Sequence, residues 1–148
     1  MKSVSIKMAL ATAVTGLILT MTVSGLLMAS QKIGNTGNVM AVGVGVYWNS
    51  ACTSNVTSID WASLEPGASG NTTVYIKNKG NTRMMLNMTT SNWSMGAYGK
   101  ITLSWNREGY LLDPSSVVQA VLTLSVSSTI SGVTSFSFDI TITGTEHA

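Results

Sequence analysis

Charge is scarce in this chain: Asp, Glu, Lys and Arg make up only 9% of its 148 residues. The formal net charge of +2 overstates its basic character, because Lys2, Lys7 and Lys32 all precede the bulk of the sequence. From Ile33 onward, five basic residues stand against six acidic ones. No basic patch is available for a phosphate backbone, which excludes nucleic acid as a partner. Cys52 is the single cysteine, so no internal disulfide can form and stability must come from packing. His147 is the single histidine, and it lies beside the C-terminus, where no nucleophile can be held firmly against it. There is no HExxH, no cysteine pair and no dense carboxylate cluster for zinc or calcium. Asp60 with Glu65, and Glu108 with Asp113, read as solvated turn residues. The glycines at 34, 37, 43 and 45 are not followed by a helix pattern, so no phosphate loop is expected. The expectation is a protein that is not an enzyme and uses no cofactor and no metal.

What is present begins with an unbroken apolar run, Met8–Ala29, preceded by Lys2 and Lys7 and followed by Lys32. As a helix it would reach roughly 33 Å, about one bilayer core. Two lysines before the run and one after it place the N-terminus in the cytoplasm. Residues 1–30 therefore read as a signal peptide or a signal-anchor helix, and the chain from residue 31 onward as translocated. The length favours a retained anchor, as does the poor cleavage site, with Leu27 or Met28 at the −3 position. The dilution by Thr12, Thr15, Gly16, Thr20, Thr22, Ser24 and Gly25 favours release. Both readings stay open. The protein is expected at the cell surface or outside the cell, and membrane-anchored through residues 8–29 if uncleaved.

The remainder has the length of one domain, expected over residues 39–144, with a linker at 31–38 and a short tail at 145–148. Its pattern is period two, not 3.6. Val39–Trp48 puts Met40, Val42, Val44, Val46 and Trp48 on one face. Ile59 and Trp61 share a face in Ser58–Trp61, and Val74 and Ile76 do so in Thr72–Asn78. Met84, Leu86 and Met88 alternate, then Ile101, Leu103 and Trp105. Val118–Val126 turns Val118, Ala120, Leu122, Leu124 and Val126 inward. Phe136, Phe138, Ile140 and Ile142 end the chain. Pro66-Gly67, Gly80-Asn81, Glu108-Gly109 and Asp113-Pro114 carry turn chemistry, with Gly80-Asn81 read as a hairpin connection. Apolar-in, hydroxyl-out strands in about this number predict an all-β fold: an antiparallel immunoglobulin-like or jelly-roll β-sandwich of seven or eight strands. A small closed barrel is the rival.

Trp48, Trp61 and Trp105 fall in register with inward residues and are expected in the core. Trp93 sits in the loop Ser91–Lys100 with Met95 and Tyr98, and Trp93 and Tyr98 are the candidate exposed contacts. Sequons at Asn55, Asn71, Asn87 and Asn92 are candidate N-glycosylation sites in a translocated domain.

The element order, with Leu64-Glu65-Pro66-Gly67 leading into Val74-Tyr75-Ile76-Lys77-Asn78-Lys79-Gly80-Asn81, resembles the camelysin/TasA-type biofilm matrix proteins and the archaeal bundling pilins similar to them. The resemblance covers roughly Val39–Thr143 and implies an extracellular fibre subunit, self-assembling by donation of a strand to the next copy. Edge N–H and C=O groups template such an incoming strand. The candidate donors are Gln31–Asn38 and the stronger strand through Val39, Met40, Val42, Val44 and Val46; the preferred reading of the latter is the domain's own first strand. The metalloprotease activity attributed to camelysin-like proteins has no ligand set here. The alternative is a membrane-anchored single-domain binding or adhesion module that does not polymerise. It would make contact through loops such as Ala51–Ser58 and Ser91–Lys100.

Overall fold

The computed structural model describes residues 33–148. The apolar run Met8–Ala29, with the signal or anchor reading placed on it, lies outside the described residues. Among the described residues nine strands succeed one another: β1 Ile33–Val42, β2 Val44–Tyr47, β3 Ser58–Leu64, β4 Ser69–Asn78, β5 Met84–Ser91, β6 Ile101–Trp105, β7 Leu111–Leu112, β8 Val117–Val126 and β9 Ser135–Glu146. They form two sheets, one ordered β3-β1-β9-β5-β7 and the other β2-β4-β8-β6. The all-β expectation is met, and the inward residues of both sheets share one core.

Odd-numbered strands lie in the first sheet and even-numbered strands in the second, so every connection passes from one sheet to the other. No two consecutive strands are paired. This corrects the hairpin expected at Gly80-Asn81, because β4 and β5 belong to different sheets. Turn chemistry marks where a chain reverses, not whether the next strand returns to the same sheet. At Glu65–Ala68 the expected turn does form. Gly67 takes φ 82° and Ala68 N–H donates to Glu65 O at 2.9 Å, but the turn carries β3 across the core into β4.

The ladders are antiparallel except one. β1 runs parallel to β9 from Gly34↔Ser135 to Val42↔Thr143, between β9 and the antiparallel β3. The segment 31–38, expected as a linker, is thus strand from Ile33. At the other end β9 continues to Glu146, and His147 N–H donates to Arg83 O at 2.9 Å, so most of the expected tail is held.

The largest correction concerns Val39–Trp48. The strand breaks at Gly43, which adopts φ 77°, and its halves join different sheets. Rotation at Gly43 changes which parity faces the core. Val39 is buried, Met40 and Val42 are 51% and 54% exposed, and Val44 and Val46 are buried from the second sheet. Trp48, expected in the core by extrapolating the first parity, is 41% exposed. Elsewhere the parity holds. Val74, Ile76, Leu86, Leu122, Leu124, Ile140 and Ile142 are wholly buried, each contributing about 1.5–3 kcal/mol of transfer free energy. β7 leaves no mark in the sequence pattern, since two residues are too few to carry a period.

Because every ladder joins segments distant in sequence, loop closure precedes any pairing gain. Refolding by stopped-flow fluorescence is expected on the order of milliseconds to seconds, as for other all-β domains of non-local topology. A microsecond phase carrying the full amplitude would contradict this.

Candidate functional site

The site lies where the edges of the two sheets come together, at β5 and β6. β7 covers β5 only at Met84 and Met85. Next along the edge, Leu86 N–H donates to Tyr110 O (2.9 Å) and Leu86 O accepts from Gly109 N–H (2.8 Å). The Met88 N–H donates to Glu108 Oε2 at 3.1 Å, and the same oxygen accepts the Trp105 indole N–H at 2.6 Å. Glu108 thus closes the edge with a carboxylate in place of a strand carbonyl. Beyond Met88 the edge of β5 is uncovered.

β6 pairs with β8 on one side only. Lys100 O accepts from Ser127 N–H, and Asn106 N–H donates to Val121 O. Even-numbered residues therefore direct their main-chain groups at β8. By the alternation of an antiparallel ladder, Leu103 directs its N–H and C=O outward. Ile101 N–H is taken by Ala97 O at 3.0 Å. The other edges are covered differently. Val46 O of β2 accepts Val56 N–H and Trp48 N–H donates to Ser54 O. β3 kinks at Ala62 (φ 56°), whose N–H donates to Asp60 Oδ1 at 2.8 Å.

Between β5 and β6 lies an open depression of about 310 Å³, lined by Thr90, Trp93, Tyr98, Gly99, Ile101, Thr102 and Leu103. The loop 92–100 forms its wall. Ser94 ties the loop to β9, donating N–H to Ser137 O (2.9 Å) and accepting Ser137 N–H at its Oγ (3.1 Å). Trp93 stacks on Phe138 with centroids 4.1 Å apart and planes 6° from parallel. Its indole N–H donates to Thr90 Oγ1 at 3.1 Å. Trp93, expected as an exposed contact, is therefore half-buried and fixed in place. Phe138 accounts for this, supplying a flat apolar surface that the loop sequence does not reveal. Tyr98 is 81% exposed, as expected, and Met95 is fully exposed.

The two loop aromatics singled out from sequence meet in one depression. No local pattern points to Thr90, Ile101, Thr102 and Leu103 there, because only the juxtaposition of the two edges brings them in. Of the other tryptophans, Trp61 is buried with an unpartnered indole N–H, and Trp105 is half-buried against the core. The four sequon asparagines, Asn55, Asn71, Asn87 and Asn92, are all exposed. Asn71 and Asn87 lie on β4 and β5, Asn55 bridges to Tyr47, and Asn92 donates its amide to Asp139 Oδ2 at 2.7 Å. The candidate donor strand is divided. Val39, Met40 and Val42 pair within their own chain against β9, while Val44 and Val46 pair with β4. Cys52 is half-buried. Among the described residues no group of three or more His, Cys, Asp or Glu could hold a metal ion, and no helix is long and apolar enough to cross a membrane.

No family model matches the chain, and no curated protein matches it. Among solved structures it is similar to the secreted serine protease VesC from Vibrio cholerae, at 12% identity over 84% of this chain with a TM-score of 0.31. The chain spans 26% of that protein's length. A likeness this low carries no argument about fold family or activity.

Proposed function

We propose that this chain is a non-enzymatic structural subunit of an extracellular filament or matrix fibre, assembled by β-strand addition at the cell surface. In this reading the two sheets are a jelly-roll-type sandwich; the strict alternation of strands between sheets supports that over the immunoglobulin arrangement, in which consecutive strands share a sheet. The outer edge of β6 is the observation that carries the proposal. Ile101–Trp105 has no charge and no proline, the usual devices that keep an edge from pairing. The other sheet edges are covered by a loop, kinked, or closed by β7 and Glu108 as far as Met88, which leaves only the short end of β5 beside β6 open. An incoming extended segment gains main-chain hydrogen bonds along β6 and a depression beside them for a side chain. The sparsely charged surface, rich in Ser, Thr and Asn and near neutral from Ile33 onward, adds little electrostatic barrier to packing copies together.

Native material is expected to form SDS-resistant multimers and fibres in negative-stain microscopy. Ser104→Lys places a lysine on the β6 edge at an exposed position. It should abolish fibres while changing domain stability by no more than about 0.5 kcal/mol. A monodisperse wild-type protein would overturn the proposal and favour the tethered binding module.

A further inference from the structure

We infer that the depression between β5 and β6 is a subsite for an uncharged saccharide in a subunit whose β6 edge carries no added strand. Its lining holds no carboxylate, ammonium, guanidinium or imidazole. Lys100, the only charged residue of the 92–100 loop, is outside the lining. A charged ligand therefore finds no counter-charge. A wholly apolar ligand is also poorly served. Such ligands need most of their surface buried, and this depression is open.

The depression offers two kinds of contact together. One is aromatic surface: Trp93, immobilised by Phe138 and Thr90, with Tyr98 at the rim. Fixing the indole in advance removes the ordering cost that a mobile ring would incur on binding. The other is neutral hydrogen-bonding groups. Thr90 Oγ1 accepts from Trp93, which leaves its hydroxyl proton for a ligand acceptor. The Tyr98 hydroxyl and the outward main-chain groups of Leu103 complete the set. A pyranose ring matches both, with a C–H face to lie on an indole and a rim of neutral hydroxyls. The volume, about 310 Å³, falls at the lower end of ligand-site sizes. Tyr98 itself has no packing role. A tyrosine exposed to this degree, next to a rigid tryptophan, is a contact surface waiting for an apolar face.

The test is a titration of the full chain with neutral trisaccharides built from glucose, mannose and N-acetylglucosamine, read by calorimetry and tryptophan fluorescence. Sialyllactose and a polygalacturonate fragment serve as charged comparisons. At least one neutral saccharide should saturate in the millimolar range or tighter, and the charged ones should bind at least about tenfold more weakly. Tyr98→Ala, which removes no core contact, should weaken binding about tenfold, the worth of one aromatic contact. Trp93→Phe keeps a ring on Phe138 and should reduce both affinity and the fluorescence response. The inference is overturned if no neutral saccharide saturates, or if Tyr98→Ala binds as wild type does. It is also overturned if only a synthetic extended peptide binds in a Tyr98-dependent way, which would make the depression a strand acceptor alone.

Discussion

Asn78→Asp is expected to destabilise the domain by about 3–5 kcal/mol, a large fraction of the total stability of a domain this size. Asn78 is the one buried polar residue among the described residues, with no exposed surface. Its amide nitrogen donates to Thr82 O at 2.7 Å and to Leu112 O at 3.0 Å, and its amide oxygen accepts from Gly80 N–H at 2.9 Å. Three groups on two different segments are thus satisfied by one side chain. It shapes the crossover from β4 to β5 and fastens β7 to it. Aspartate keeps the bond to Gly80 but sets a carboxylate oxygen against two carbonyl oxygens, in a place where water cannot screen it. Asn78→Ala removes the repulsion but leaves Gly80 N–H without its acceptor and takes a donor from Thr82 O and from Leu112 O, at about 1–3 kcal/mol for each group left buried and unpaired. Urea unfolding of the two variants should therefore rank aspartate below alanine and alanine below wild type. A loss under about 1 kcal/mol for aspartate would show that the crossover rearranges freely and that Asn78 is not its fastening.

The second large effect is expected at Gly43. Its φ of 77° lies in a region that costs an L-residue roughly 1–2 kcal/mol. A Cβ there would also stand 2.6 Å from the carbonyl oxygen of Gly144. That oxygen belongs to the β9 backbone and cannot step aside without disturbing the ladder. Gly43→Ala should therefore cost about 3 kcal/mol or more. Gly144→Ala is the control. Its Cβ would approach Val44 Cγ1 at 2.6 Å and Met84 Sδ at 2.8 Å, side-chain and not backbone atoms, although Val44 is stiff at χ1 and yields less than Met84. Met84 can turn to a new rotamer, so the loss should be smaller. If the two variants unfold at the same urea concentration, neither the positive φ nor the backbone clash is what holds Gly43.

These two positions show how far period-two reading reaches. Strands β8 and β9 are legible because five and four inward apolar residues in register leave only one parity that buries them. Asn78 is legible in the same way, falling in step with Val74 and Ile76. Gly43 is not. Two glycines, Gly43 and Gly45, share a parity, and nothing local says which of them turns the chain out of its sheet. The error at Trp48 comes from carrying parity through that turn. Strand neighbours are not legible at all, since alternation reports the face a residue occupies and never the strand beside it. The same limit applies to the depression. Trp93 and Tyr98 stand out as aromatics in a segment without a strand period. Thr90 and Leu103 join them only because the end of β5 that β7 leaves unpaired and the edge strand β6 of the other sheet line one depression.

The parallel pairing of β1 with β9 has a mechanical consequence. The first and last strands point the same way, so tension between the two ends of the domain pulls them along their length in opposite senses. The load then falls on all the bonds from Gly34↔Ser135 to Val42↔Thr143 at once, in shear. An antiparallel pair of end strands would instead be peeled open one bond at a time. Resistance of this kind is set by the rate of unfolding under load, not by equilibrium stability. A domain strung between a cell and its surroundings would keep its shape under pulls that would unzip a hairpin-ended fold of equal free energy.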